Sequence, residues 1–164
     1  MIIIIFGLPG TGKSYFGKRL AEHLGLVYIN SDRIRKRLQL SGKYGSEEKK
    51  SVYEQMLNTT EEQVQQHKGV ILDATFSDHS YIQKVKNLAQ RHEIPTRLIE
   101  MVADEKVIIE RVRKTRPYSE ADYEVYKKMK ANYEAIDETH LILDTSQTTD
   151  DQLIQEAIKY LYHD

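Results

Sequence analysis

The chain has 164 residues, 40% of them apolar and 30% charged, with a formal net charge of −1. That length is enough to bury a core without covalent staples and reads as one domain, residues 1–164. No cysteine is present, which excludes disulfides and thiolate metal sites, and the histidines show no ligand spacing.

The first element is an apolar run from Ile2 to Phe6, continuous as in a strand covered on both faces. It is too short for a signal or membrane-spanning helix, so no membrane partner and a cytoplasmic location are expected. It leads into Gly7-Leu8-Pro9-Gly10-Thr11-Gly12-Lys13-Ser14, which matches the phosphate-loop pattern G-x-x-x-x-G-K-[S/T]. Glycines let such a backbone curl until successive N–H groups face phosphate oxygens, and the next helix adds its positive end. The expected cradle is Leu8, Pro9, Gly10, Thr11, Gly12, Lys13, Ser14 and Tyr15. Lys13 would reach the terminal phosphates of ATP, and the Ser14 hydroxyl would ligate the accompanying Mg²⁺.

Behind the loop, Phe16, Leu20 and Leu24 share one helical stripe that Gly25 caps. Further strands are expected near 26–30, 69–73, 97–103 and 140–145, separated by helical patterns near 32–39, 47–67, 78–92 and 104–114. Ser46 opens the second of these, with Glu47 and Glu48 in its first turn. Ser119-x-x-Asp122 is a capping signature for another helix, and the final one carries Leu153, Ile154, Ala157, Ile158, Leu161 and Tyr162 on one face. Alternating apolar strands and helices imply an α/β fold with three layers: a five-stranded, mostly parallel sheet with helices on both faces.

In open sheets of this kind ligands sit beyond the carboxyl ends of the strands. The phosphate loop, Asn30-Ser31-Asp32, Asp73-Ala74-Thr75 and Asp144-Thr145-Ser146 all fall there. Asp73 is a candidate for the acid near Mg²⁺, with a turn or helix cap as the alternative. Asp32 is either a helix cap or the carboxylate that takes the proton of an attacking hydroxyl, with Arg35 one turn later holding the acceptor or spreading charge.

Charge is unevenly spread. Residues 106–130 hold eight basic side chains against four acidic ones, and Arg33, Arg35, Lys36 and Arg37 surround Asp32. Arg111, Arg113 and Arg116 precede a proline and a fresh helix, the pattern of a flap that closes on a triphosphate. Solvated helix faces are the other reading of these cations. Tyr123, Tyr126 and Tyr133 recur beside lysines, as packing residues or as base-stacking ones.

Taken together, Gly7–Ser14, Asn30-Ser31-Asp32-Arg33-Ile34-Arg35-Lys36, Val70-Ile71-Leu72-Asp73-Ala74-Thr75 and Ser119-Glu120-Ala121-Asp122 resemble the small P-loop kinases of the polynucleotide 5′-kinase and zeta-toxin-like group. The resemblance implies a P-loop NTPase fold, an arginine-bearing lid at about 111–135, and Mg²⁺-dependent transfer of the γ-phosphate of ATP to a hydroxyl. By matching position, Asp32 is similar to that group's general base and Arg35 to its acceptor- or phosphate-contacting arginine. Arg111 and Arg116 are the expected catalytic lid arginines, although the group often spaces such a pair by four residues. A polynucleotide 5′-OH is the acceptor expected first, with a small hydroxyl metabolite on the same scaffold as the alternative. A nucleotide-binding switch that phosphorylates nothing is the reading from another class.

Overall fold

The structure is a computed structural model that describes residues 1–112, 123–133 and 135–162. In chain order these form β1 (Ile2–Phe6), α1 (Lys13–Leu24), β2 (Val27–Asn30), α2 (Ser31–Arg37), α3 (Ser46–Gln65) and β3 (Val70–Asp73). They continue as α4 (Ser80–Arg91), β4 (Thr96–Val102), α5 (Glu105–Val112), α6 (Tyr123–Ala131), β5 (Leu141–Asp144) and α7 (Asp150–Tyr162). The expected element boundaries shift by a residue or two, the usual range over which element ends fray. Among the described residues no helix is long and apolar enough to cross a membrane.

All four strand pairings are parallel, in the order β2-β3-β1-β4-β5. β1 is central and wholly buried, which explains its unbroken run of isoleucines. Its side chains alternate between two cores. Ile2, Ile4 and Phe6 pack with Val52, Met56, Ile82 and Val85 from α3 and α4, while Ile3 and Ile5 pack with Phe16 and Leu20 of α1 and Leu153 and Ala157 of α7. Each such buried side chain stabilises the fold by roughly 1.5–3 kcal/mol relative to exposure. The chain leaves β1 for one half of the sheet and later crosses to the other, so the crevice opens at the carboxyl end of β1.

Two local expectations change. Asn30, rather than Asp32, caps α2: its side chain accepts from the Arg33 N–H at 2.9 Å. Gly45 precedes α3 as its cap and places Ser46 inside the helix, with no side-chain bond across that end. Gly25 does close α1, at φ 66°, as its position implied. The Ser119-Asp122 signature lies outside the described residues.

Gly7 marks the exit of β1. Its φ is +134°, and a Cβ there would stand 2.3 Å from the Met101 carbonyl oxygen on β4. Neither the dihedral nor the approach admits a side chain, and backbone cannot step aside cheaply. Gly7→Ala is expected to destabilise the protein by about 2–4 kcal/mol, read as a lower urea midpoint with unchanged slope.

Candidate active site

The phosphate loop is braced from behind. Leu8 turns its carbonyl inward, where it accepts from Thr11 Oγ1 at 2.9 Å and from Lys13 Nζ at 2.7 Å. Thr145, just past β5, donates its hydroxyl to the Thr11 carbonyl at 2.8 Å. Gly10 and Gly12 adopt φ of 82° and 96°, so the loop turns where L side chains would strain it. α1 then begins with no side-chain cap and no acid in its first turn. Its first N–H groups and positive dipole end therefore face the crevice uncompensated, an arrangement that suits an anion.

Lys13 is buried within this loop. Burial lowers its pKa below the ordinary 10.5, against the opposing fields of Asp73 and Asp32. An ammonium held out of water in this way is short of counter-charge, and phosphate oxygens would supply it.

Two strands, β2 and β3, and the start of α1 contribute a polar knot beside the loop. Asn30 Nδ2 bridges Ser14 Oγ at 3.3 Å and Asp73 Oδ2 at 2.7 Å, and the Tyr28 hydroxyl donates to the same Asp73 oxygen at 2.5 Å. Burial, then the Asp73 charge, raises the Tyr28 pKa far above its usual value, so the phenol remains a donor. Asp73 is 1% exposed and, among the described residues, accepts from side chains rather than from a backbone N–H; in the turn before α4, Asp78 accepts from the Ser80 N–H at 2.9 Å. Among the described residues no group of three His, Cys, Asp or Glu side chains forms a metal cage. A cation here would rest on Ser14, Asp73 and the oxygens of its own ligand.

Opposite the loop the crevice deepens into a cleft of about 370 Å³. Asp32, Arg33 and Arg35 of α2 line it, with Lys49 of α3, Tyr44 before it, and Val125 and Met129 of α6. Arg35 is buried, donates to the Lys43 carbonyl at 2.5 Å and lies 4.6 Å over the Tyr44 ring. The floor is the segment after β3, where buried Phe76 sits at φ 48° and its N–H donates to the Tyr53 hydroxyl at 3.0 Å. Such backbone strain persists only where surroundings enforce it. Burial pushes the Tyr53 phenol up to about 12, so it too keeps its proton.

Arg111 ends α5 against the loop. Its guanidinium donates to Thr145 Oγ1 at 2.7 Å, the Thr145 carbonyl at 3.1 Å and the Gly10 carbonyl at 3.3 Å. It also borders a second hollow of about 360 Å³ with Tyr15, Phe16, Arg19, Leu153 and Ile154.

The sequence profile of the AAA domain family matches residues 2–136, which contain the loop, both carboxylates and Arg111. The chain belongs to the AAA domain family. Among curated proteins, an adenylate kinase of Thermococcus onnurineus is 45% identical over 51 residues, 30% of this AAA domain chain and 23% of that enzyme. The chain thus spans about a quarter of the length of the curated relatives it matches. Two solved structures share the fold at low identity. A sugar kinase from Janibacter sp. superposes with a TM-score of 0.74 at 18% identity, over 98% of this chain and 93% of its own. The APS kinase of Mycobacterium tuberculosis, solved with AMPPNP and APS, superposes with a TM-score of 0.73 at 14% identity, over 98% and 96%.

Within this AAA domain the cleft gathers Pro9, Gly10, Gly12, Lys13, Ser14 and Tyr15 with Asp32, Arg35, Asp73 and Arg111. Leu8 and Thr11 brace the loop instead of lining the cleft. Arg113 and Arg116 lie outside the described residues. Tyr126 is 1% exposed and packs, and Tyr133 donates to Glu100. Sequence reasoning passed over Tyr28, Tyr44, Lys49 and Tyr53. A signal existed for Tyr28: it alternates with Asn30 along β2, so both fall on the face that meets Asp73.

Proposed function

We propose that the chain transfers the γ-phosphate of ATP to an acceptor hydroxyl. One observation carries the reading: two carboxylates from separate strand ends, Asp32 and Asp73, act on one buried lysine and line one cleft. A site that only held a nucleotide would have no use for the second.

The chain's residues fit MgATP. The uncapped α1 end and the turned glycines offer N–H groups to phosphate, Lys13 offers charge, and Ser14 and Asp73 offer the oxygen ligands a hard cation prefers. Bound there, Mg²⁺ would offset negative charge on the β- and γ-phosphates. The hollow between Phe16, Leu153 and Arg111 takes the base of the nucleotide. As the acceptor oxygen bonds to the γ-phosphorus, the bond from phosphorus to the β–γ bridging oxygen breaks and ADP departs. The hydroxyl proton passes to Asp32. The lid expected at about 111–135 stays part of this reading, and Arg111, beside the loop, is its described arginine.

Because Lys13 titrates below an ordinary lysine, its charge is lost earlier as pH rises. Affinity for nucleotide is therefore expected to fall as pH rises, and to do so at a lower pH than an ordinary lysine would give, measured by calorimetric titration up to about pH 10. Constant affinity across that range would contradict a charged, buried Lys13 as the phosphate partner.

A small hydroxyl compound bearing negative charge fits the acceptor side best. Arg33, Arg35 and Lys49 border the cleft, while Tyr44, Tyr53 and the α6 residues Val125 and Met129 bound its size. A polynucleotide 5′-OH is the second reading, favoured by the same cations, which would hold phosphates near the 5′ end. Incubation with [γ-³²P]ATP and a panel of 5′-hydroxyl oligonucleotides, nucleosides, sugars and small alcohols separates the two by where label appears. ATP turnover that no acceptor accelerates would leave a nucleotide-binding switch and overturn the kinase reading.

A further inference from the structure

Tyr28 lines the cleft and is held on several sides, yet the functional reading leaves it without a role. It stands on β2, the edge strand, two residues before Asn30, and its ring runs beneath α1. The ring fits there because residue 17 has no side chain: a Cβ on Gly17 would lie 3.1 Å from Tyr28 Cε2 and 3.1 Å from Ile5 Cδ1. Glycine inside a helix costs about 1 kcal/mol relative to alanine, a cost this helix carries at the one turn that crosses Tyr28.

Threaded in this way, the hydroxyl reaches Asp73 Oδ2 and comes within 3.3 Å of the Ser14 carbonyl. The Arg33 guanidinium, one residue past Asp32, lies 5.3 Å from the centre of the ring. Tyr28 and Asn30 both donate to Oδ2, so two fixed hydrogen bonds set the rotation of the carboxylate. The second carboxylate oxygen, Oδ1, receives no hydrogen bond from the described residues. A carboxylate that serves a hard cation, directly or through water, depends on such outer partners for its orientation.

We propose that Tyr28 is a positioning residue for the cation: its hydroxyl, held under α1 by the gap at Gly17, fixes Asp73 so that Oδ1 faces the Mg²⁺ of the bound nucleotide. The assignment rests on the reading of Asp73 as the acid that serves the cation. It differs from a packing role in what it asks of the hydroxyl. A ring that only fills space beneath α1 needs no oxygen, whereas a ring that orients Asp73 does.

Tyr28→Phe separates these, since it keeps the ring and removes the oxygen. The experiment measures the affinity of the full chain for a fluorescent ATP analogue with EDTA and across a Mg²⁺ titration, alongside thermal melts. Wild-type affinity is expected to rise with Mg²⁺. In Tyr28→Phe that enhancement is expected to shrink by about tenfold, with metal-free affinity unchanged. Gly17→Ala, which presses on the ring and removes no polar group, is expected to move the enhancement the same way. Adding Tyr28→Phe to Asp73→Asn is expected to cost nothing further, because the hydroxyl acts through that carboxylate. Equal enhancement in wild type and Tyr28→Phe would overturn the role of Tyr28 alone. Wild-type affinity indifferent to Mg²⁺ would overturn the reading of Asp73, and the assignment with it.

Discussion

Asp32→Asn is expected to slow phosphoryl transfer by about 10²–10⁴-fold, the usual worth of a positioned general base. Asparagine has the same shape and cannot take the proton, so the loss falls on the chemical step. Fold stability should survive, because Asn30 holds the cap of α2 and Asp32, in the first turn, is half-buried in the cleft. Nucleotide affinity should change little, since Asp32 acts on Lys13 only through its field, and less than Asp73 does. The check is the initial rate of label transfer from [γ-³²P]ATP to the acceptor found in the panel, with a melt of the variant. A variant that transfers at the wild-type rate would remove Asp32 from the reaction.

Lys13→Met is expected to reduce transfer by about 10³-fold, by analogy with removing one preorganised partner from a developing charge. Here affinity for MgATP should fall as well, because a lysine on phosphates is in contact before and during the reaction. The same change should raise the melting temperature of the nucleotide-free protein. Burial is the largest influence on Lys13 and disfavours its charge. Methionine fills the volume of the stem without that penalty. The Leu8 carbonyl loses one donor and keeps Thr11 Oγ1, so no buried acceptor is stranded. Activity and stability thus move in opposite directions, as at sites kept strained for function. A variant less stable than wild type would mean that Lys13 serves packing of the loop more than binding.

The carboxylates illustrate how far the chain could be read without coordinates. Asp73 stood out because it ends an apolar strand and Asp32 because it follows one by two residues, and strand ends in a parallel sheet converge on one edge. The choice between cap and functional carboxylate was open in the sequence, since a helix start welcomes aspartate on either account. The structure gives the α2 cap to Asn30 and the Ser80 N–H to Asp78, which leaves the functional reading of the two carboxylates as the proposal. Tyr126 is a parallel case: its helical spacing allowed packing or stacking, and burial against the fold decided for packing.

What lies within a few neighbouring residues was legible from the letters alone. The phosphate loop, the glycine that ends α1, the five strands and the parallel fold class all depend on local spacing, backbone freedom and the need to cover both faces of an apolar strand. Strand order, the pairing of Arg111 with Thr145, and the convergence of Tyr28, Asn30 and Ser14 on Asp73 were not legible. Those hydrogen-bonded pairs are between 16 and 45 residues apart in sequence. Their meeting depends on which strands pair and in what register, and on a gap at Gly17 whose purpose appears only once Tyr28 lies beneath it. Register follows from the summed packing of two cores, a property of the whole chain that no single segment encodes.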